Sequence, residues 1–479
     1  MGQAAPERVL GVEQAIVSVE EIKEHLDKTQ NGSVCSSYPN YLGIIRHDPG
    51  MAKKIKYNAL SDEPMLCGVD WDLDSHPLTD YDLLRLLEIT ATSYGIENKN
   101  KLLDAVMQVA GENTYHPVRD KLNSLQWDGI SRIGELFPVF LGAERTALTT
   151  HITTVMLHGA IQRVMQPGIK FDLCIVLADK QQGTGKSTIC RILALSDEWF
   201  CELSSINKTK EAYETIRGHW IVELGELIAT NRAKDIESIK SYISAQKDEY
   251  RDPYAKRSRS RPRQCIFIGT TNKPQFLPND MTGNRRFIPL ICNGAKAERH
   301  ILDDESYSRH YIEQCYAEAM EIGKTTGWQL TIEPKFNAEL EQLRSESTPE
   351  DSRVGMIQQW LDDTAGNVVC TRMIWDKVFN PAGSREPTKQ ELRDISDMLN
   401  LQIRGWTRYK GKDGKAKDNK FVFKEISSNG TAYGKQRAWV REMLPEQVVI
   451  PNTIPNTGEP SPSDATFSAV SVDDPTPFD

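Results

Sequence analysis

The chain has 479 residues, 39% hydrophobic and 26% charged, with a formal net charge of −9. That is enough apolar material for roughly two to four cored domains, and it excludes a wholly disordered chain. A long uncharged stretch, Thr146 to Gln162, holds five threonines and two histidines, too polar to span a bilayer.

At the N-terminus, MGQAAPERVLGVEQ has no apolar signal-peptide core, and Pro6 stands where a myristoylation signal carries Ser or Thr. A soluble, cytoplasmic protein is expected. The nine cysteines include no C-x-x-C pair; they read as reduced core thiols, with neither a disulfide frame nor a zinc site.

Residues 1–110 read as a small α+β region. Ser18 precedes an amphipathic helix, VEEIKEHL. A strand-like MLCGVDW leads to Thr79-Asp80-Tyr81-Asp82, an Asp variant of the capping box, which opens the helix DYDLLRLLEITATSYG. The acid-rich Asp70-Trp71-Asp72-Leu73-Asp74 mimics a catalytic metal pair, but is better explained as a turn feeding that helix. Residues 111–168 read as helical, with LTTHITTVMLHGAIQRV as a long helix ended by Pro167-Gly168.

From 169 to 340 the pattern becomes short apolar runs separated by turns or helices: DLCIVLAD, HWIVELGEL, QCIFIGTTN and RRFIPLI. Such runs predict the buried strands of a largely parallel sheet. Residues 350–442 give three helices, a short VVCT strand after the first, and a pair of strands, GWTRYK and KFVFKE, flanking the polar loop GKDGKAKDN, an order that predicts a winged-helix-like domain. The tail, 446–479, has six acids, no Lys or Arg and few large apolar residues, and is expected to be disordered. The rest of the chain is therefore close to neutral, and its cations are clustered.

The strongest motif is Gln182-Gly183-Thr184-Gly185-Lys186-Ser187-Thr188, directly after one apolar run and before the helix TICRILAL. In that context backbone N–H groups wrap a β-phosphate, Lys186 reaches the β/γ oxygens, and the Ser187 hydroxyl ligates Mg²⁺. ATP with Mg²⁺ is the expected ligand. Lys180 replaces the first glycine of the full consensus; a surface lysine on an altered turn is the simpler reading, an extra cation near the γ-phosphate the other.

Some 35 residues on, Trp220-Ile221-Val222-Glu223-Leu224-Gly225-Glu226 brings two acids to a strand end. Glu223 is assigned to the metal and Glu226 to the attacking water, in an order that residue type alone leaves open. Asn272, closing Phe267-Ile268-Gly269-Thr270-Thr271-Asn272, can orient water or read the γ-phosphate. Arg285 and Arg286 can offer a cation to a neighbouring subunit.

Between these lies a stretch with six basic residues and two tyrosines in fourteen positions, 250–263. Cations for phosphates and aromatics for stacking suit single-stranded DNA. Tyr250, Arg251, Tyr254, Lys256, Arg257, Arg259 and Arg261 are the expected contacts. A second cluster, including Lys412, Lys415 and Lys417, is expected to grip duplex DNA.

The order of these motifs, ending in Asp280-Met281-Thr282-Gly283-Asn284-Arg285-Arg286-Phe287, resembles the virulence-associated protein E family of phages, prophages and pathogenicity islands. So do Tyr115-His116-Pro117-Val118, Trp127-Asp128-Gly129 and Tyr433-Gly434-Lys435-Gln436-Arg437-Ala438-Trp439, so that the likeness spans about 110–440. It implies an α/β P-loop, AAA+-like core of the superfamily 3 helicase type, working as a hexameric ATPase in replicating mobile-element DNA, with host replication proteins as candidate partners. Two alternatives stand: a DNA-binding initiator or regulator using ATP as an assembly switch, and a P-loop small-molecule kinase. DNA-stimulated turnover separates the first reading from the switch, and a phosphorylated small product would identify the kinase.

Overall fold

A computed structural model describes residues 18–203, 210–225, 233–250, 259–277, 284–349, 351–363, 366–410, 420–427 and 430–442. The chain divides into two compact units at Glu350/Asp351.

The first unit begins with helices Val19–His25 and Tyr38–His47. Strands β1 (Ile55–Asn58), β2 (Glu63–Leu66) and β3 (His76–Pro77), helices Asp80–Tyr94 and Lys99–Glu112, and strand β4 (Thr114–Tyr115) follow. The sheet order is β3-β2-β1-β4. The expected Thr79–Asp82 capping box forms, and Ser18 makes a second one with Glu21. The predicted MLCGVDW strand stops at Leu66; Gly68 then takes a left-handed φ of 62°, and the acid-rich segment turns back. A core of its own, around Tyr41, Ile44, Ile45, Leu86, Leu102 and Val106, holds this region together.

Residues 111–165 are less continuously helical than their sequence suggests. Helix Pro117–Ser124 ends before an extended stretch around Trp127-Asp128-Gly129, where Gly129 has φ 83°. Helix Leu136–Leu141 and the long helix Ala147–Met165 follow. Sixteen of the nineteen residues in the long helix are buried, as befits a helix whose only Lys, Arg, Asp or Glu is Arg163 in its last turn.

The core contains β5 (Cys174–Ala178), β6 (Phe200–Glu202), β7 (Ile221–Gly225), β8 (Lys247–Tyr250), β9 (Arg259–Pro262), β10 (Ile266–Thr271) and β11 (Phe287–Ile291). Five of these make one parallel sheet, ordered β11-β5-β10-β7-β6. The four apolar runs supply its main strands, and β6 is an edge strand the sequence did not disclose. Alternate residues feed opposite faces. Ile175, Leu177, Ile221, Ile268 and Ile288 face one apolar cluster, and Cys174, Val176, Val222, Phe267 and Phe287 face the other. Covering both faces is what makes uninterrupted apolar strands soluble. β8 and β9 form a separate antiparallel ribbon, Lys247 opposite Pro262.

The second unit has helix Ser352–Asp363, β12 (Val368–Val369), helix Thr371–Ile374 continuing as a π-turn Trp375–Phe379, and helix Lys389–Leu401. Strands β13 (Trp406–Arg408), β14 (Lys420–Ile426), β15 (Ala432–Arg437) and β16 (Trp439–Arg441) complete it. The expected pairing of GWTRYK with KFVFKE does not occur. β13 pairs with β16 in a sheet ordered β12-β16-β13, and β14 pairs with β15. Burial of Trp406 and Trp439, 6% and 1% exposed, draws β13 and β16 into the core. The turn closing β14–β15 is held by Ser427 N donating to Thr431 O and by Gly430 at φ 84°.

Candidate functional site

At the C-terminal ends of β5, β7 and β10, apolar strands give way to polar residues. In open parallel sheets this edge is where ligands bind. The loop from Asp179 to Gly185 joins β5 to helix Lys186–Leu193. Gly183 and Gly185 have φ of 72° and 90°, a region costly for other residues. A Cβ on Gly185 would also come within 2.9 Å of Ile301 Cγ2. Lys180 has no such φ and is exposed, so the loop forms without the glycine of the full consensus.

Lys186, 7% exposed, folds over the loop. Its Nζ donates to the Gln181 carbonyl (3.0 Å), to Thr184 Oγ1 (3.2 Å) and to Asn272 Oδ1 (2.9 Å). Ser187 Oγ donates to Glu223 Oε1 at 2.6 Å, and Thr270 Oγ1 donates to the same oxygen at 2.5 Å. The structure therefore brings together Lys186, Ser187, Glu223 and Asn272, which lie up to 86 positions apart. Gln182 and Gly183 are exposed on the loop, and Thr184 and Thr188 are half-buried.

Glu223 is 1% exposed, and its Oε2 has no hydrogen-bond partner. Burial raises its pKa and the neighbouring Glu202 charge adds to the rise, against the Ser187 and Thr270 hydrogen bonds and the Lys186 charge. A buried, half-satisfied carboxylate beside a hydroxyl is an all-oxygen donor pair suited to a hard divalent cation. Among the described residues there is no group of three or more His, Cys, Asp or Glu able to cage a metal. Magnesium fits such a sparse set, because it takes one or two protein oxygens and completes its shell with water and phosphate.

Three contributors escaped sequence reading. Asp179, 5% exposed, accepts from Gln181 N (2.9 Å) and Gly294 N (2.8 Å), tying the loop to the segment after β11. Its signal was present as the final acid of DLCIVLAD. Thr270 lies inside the GTTN run and gave no sign of its contact with Glu223. Ser244 receives Arg286 Nε at 2.6 Å, a contact with no sequence signature. That bond ties Arg286 within its own chain, whereas the Arg285 side chain is exposed.

The segment after β11 is pinned on its far side too. Asn293 N donates to Leu141 O (3.0 Å) and Glu298 N to Val139 O (2.9 Å). A Cβ on Gly142 would lie 2.0 Å from Asn293 O, and one on Gly294 would lie 2.4 Å from Thr184 Cγ2.

Arg261 donates to Asp62 Oδ2 at 2.5 Å. Glu226, Arg251, Tyr254, Lys256, Arg257, Lys412, Lys415 and Lys417 lie outside the described residues, as do the side chains of Tyr250 and Arg259. No helix among the described residues is long and apolar enough to cross a membrane.

Fold and site together define an α/β domain with a five-stranded parallel sheet and a glycine-rich loop between a central strand and its helix. Residues 122–349 match the family model of the virulence-associated protein E-like domain. The match lies within the span of the sequence resemblance and leaves 350–440 outside it. Two solved structures, both titled as the A form apo structure of the NrS-1 C-terminal region, are similar at 12% and 11% identity with TM-scores of 0.37 and 0.38. Each comparison covers 74% of this chain and 84% of the other. Likeness at that level says nothing by itself about activity. No curated protein shows significant similarity to this chain.

Proposed function

We propose that this chain is an ATP-dependent DNA motor of phage or mobile-element replication, hydrolysing ATP at the interfaces of a hexameric ring. One observation carries the reading: Lys186 with Asn272, and Ser187 with Glu223, meet at the ends of adjacent parallel strands. The virulence-associated protein E-like domain supports it, since that family was the expectation from motif order.

In this reading the loop amides and Lys186 bind the ATP phosphates. Ser187 and Glu223 hold Mg²⁺, which when bound neutralises charge on the transferring phosphoryl group. Asn272 keeps Lys186 aimed at the phosphates and senses the γ-phosphate. Glu226 orients the attacking water. Of the two arginines, Arg285 is the better candidate to act across a subunit boundary, because Arg286 is engaged with Ser244. The basic stretch contacts single-stranded DNA. The second unit, three helices with a three-stranded sheet, acts as a winged-helix-like duplex-binding domain through Lys412, Lys415 and Lys417.

ATP hydrolysis by the purified chain, with and without single-stranded DNA, tests the proposal. Turnover should rise with DNA and vanish in Lys186→Ala while the circular-dichroism spectrum is unchanged. Equal turnover in that variant would refute the site.

A further inference from the structure

A second group of cations lies where the N-terminal sheet meets the core. The turn after β1 is shaped by Asn58, whose Oδ1 accepts from Leu60 N (2.9 Å) and Ser61 N (3.3 Å). Leu60 is thereby inserted into the core's apolar cluster. Arg217, just before β7, grips this turn, donating to the carbonyls of Ser61 and, at 2.7 Å, Asp62. Arg261, on β9, reaches Asp62 Oδ2, while the other carboxylate oxygen takes the Tyr57 hydroxyl at 2.7 Å.

A cavity of about 440 Å³ opens beside these contacts, lined by Arg119, Arg217, Arg261 and Arg263, with Asp62 and Asp248 as its acids. Arg263 is committed: it is 1% exposed, forks onto Asp248 and donates to the Tyr242 carbonyl. Arg119 donates to the Val164 carbonyl. Arg217 and Arg261 keep 29% and 14% of their side-chain surface exposed, and Asp62 keeps 30%.

We propose that Arg217 and Arg261 form a phosphate site for the backbone of single-stranded DNA, kept closed in the free chain by Asp62. The inference rests on the DNA-binding reading above and adds a location and a gate to it. Arg261 is itself one of the six basic residues of the stretch expected to contact single-stranded DNA, and β9 carries it to the cavity. Guanidinium groups are shaped to fork onto phosphate oxygens. A partly exposed ion pair such as Asp62–Arg261 is weak, and a phosphate delivered by an already bound strand can replace the carboxylate. The N-terminal turn is then released when DNA occupies the site.

The test uses the full chain, without nucleotide, and a labelled oligothymidylate titrated at several salt concentrations. Asp62→Asn keeps the Tyr57 hydrogen bond but removes the competing charge. It should tighten binding several-fold and steepen the salt dependence by about 0.7 for each additional phosphate neutralised. Arg217→Gln with Arg261→Gln should weaken binding and flatten the slope by about 1.4. In the wild type, hydrogen exchange at residues 59–62 should rise when DNA is added. Unchanged affinity and salt slope in Asp62→Asn, with wild-type binding intact, would overturn the gate and leave the DNA-binding reading standing. A tighter grip on duplex alone would overturn the single-strand assignment. No binding by any variant at low salt would overturn both readings. If the double arginine variant fails to fold, the Asp62→Asn and exchange results decide alone.

Discussion

Two carboxylates of the first unit are buried to the same degree and treated in opposite ways. Asp82, 2% exposed, receives the Trp71 indole N–H (2.9 Å), the Thr79 amide (2.9 Å) and hydroxyl (2.5 Å), and shares His76 Nε2 at 3.1 Å. Burial pushes its pKa up, but those hydrogen bonds outweigh it and hold the carboxyl at about 2. Glu223, 1% exposed, has two hydroxyl donors on one oxygen and none on the other, and its pKa goes up. A buried acid with hydrogen-bond donors on both carboxylate oxygens is holding a turn in place. One left half-satisfied is not explained by a structural role alone, which makes Glu223 a candidate for a functional one.

The largest effect that could break this contrast is on turnover. Glu223→Gln should lower ATP hydrolysis on the order of 10²–10³-fold, as the loss of a group aimed at transition-state charge does, while nucleotide binding persists. Steady-state hydrolysis alongside equilibrium binding checks it, and near-normal turnover would return Glu223 to a structural role. Asp82→Ala should behave in the reverse manner. It strands the Trp71 indole and His76, so unfolding should become easier by about 2–3 kcal/mol, read from denaturant midpoints. Hydrolysis per folded molecule should be unaffected.

The two acids should also give pH dependences of opposite sign. Asp82 has a lowered folded pKa, so its contribution is complete above about 3.8 and is lost as pH falls from there toward 2. Glu223 has a raised folded pKa, so the native state holds its proton longer than the unfolded chain does. Its favourable contribution is present below about 4.5 and is lost as pH rises through the folded value. Stability differences between wild type and Glu223→Gln, followed from acid to neutral pH, should trace that decline; a flat difference would contradict it. The smallest effect concerns the loop's far contact. Gly294→Ala pushes a methyl toward Thr184 and should raise KM for ATP by about threefold to tenfold through misplacement of the loop, with little change in stability. An unaltered KM would mean that Thr184 moves aside freely.

What could be read in advance follows from how local each signal is. The glycine-rich loop around Gly183, Gly185, Lys186 and Ser187 was legible because it is contiguous and sits between two strong periodic patterns. The buried strands were legible for the same reason, apart from three-residue β6, which is too short to show a pattern. Asp179 and Thr270 were visible as letters only; their roles exist through Gly294 and Glu223, 115 and 47 residues away. The β13–β16 pairing escaped because buried Trp406 and Trp439 decide it, whereas the polar loop between GWTRYK and KFVFKE suggested a simple hairpin.

The segment from Asn293 to Glu298 has one further consequence, for cooperativity of folding. It meets the glycine-rich loop through the Gly294–Asp179 bond on one side and Val139 and Leu141 on the other. Leu136, Phe137, Phe140 and Leu141, all fully buried, share one apolar cluster with Ile175, Leu177 and Ile288 of the sheet. A fragment starting at residue 169 would uncover the sheet side of that cluster and leave the amides of Asn293 and Glu298 without the Leu141 and Val139 carbonyls that hold them. The smallest piece able to build the glycine-rich loop therefore starts well before the first core strand. The matched domain, which begins at residue 122, is long enough to include all of these groups.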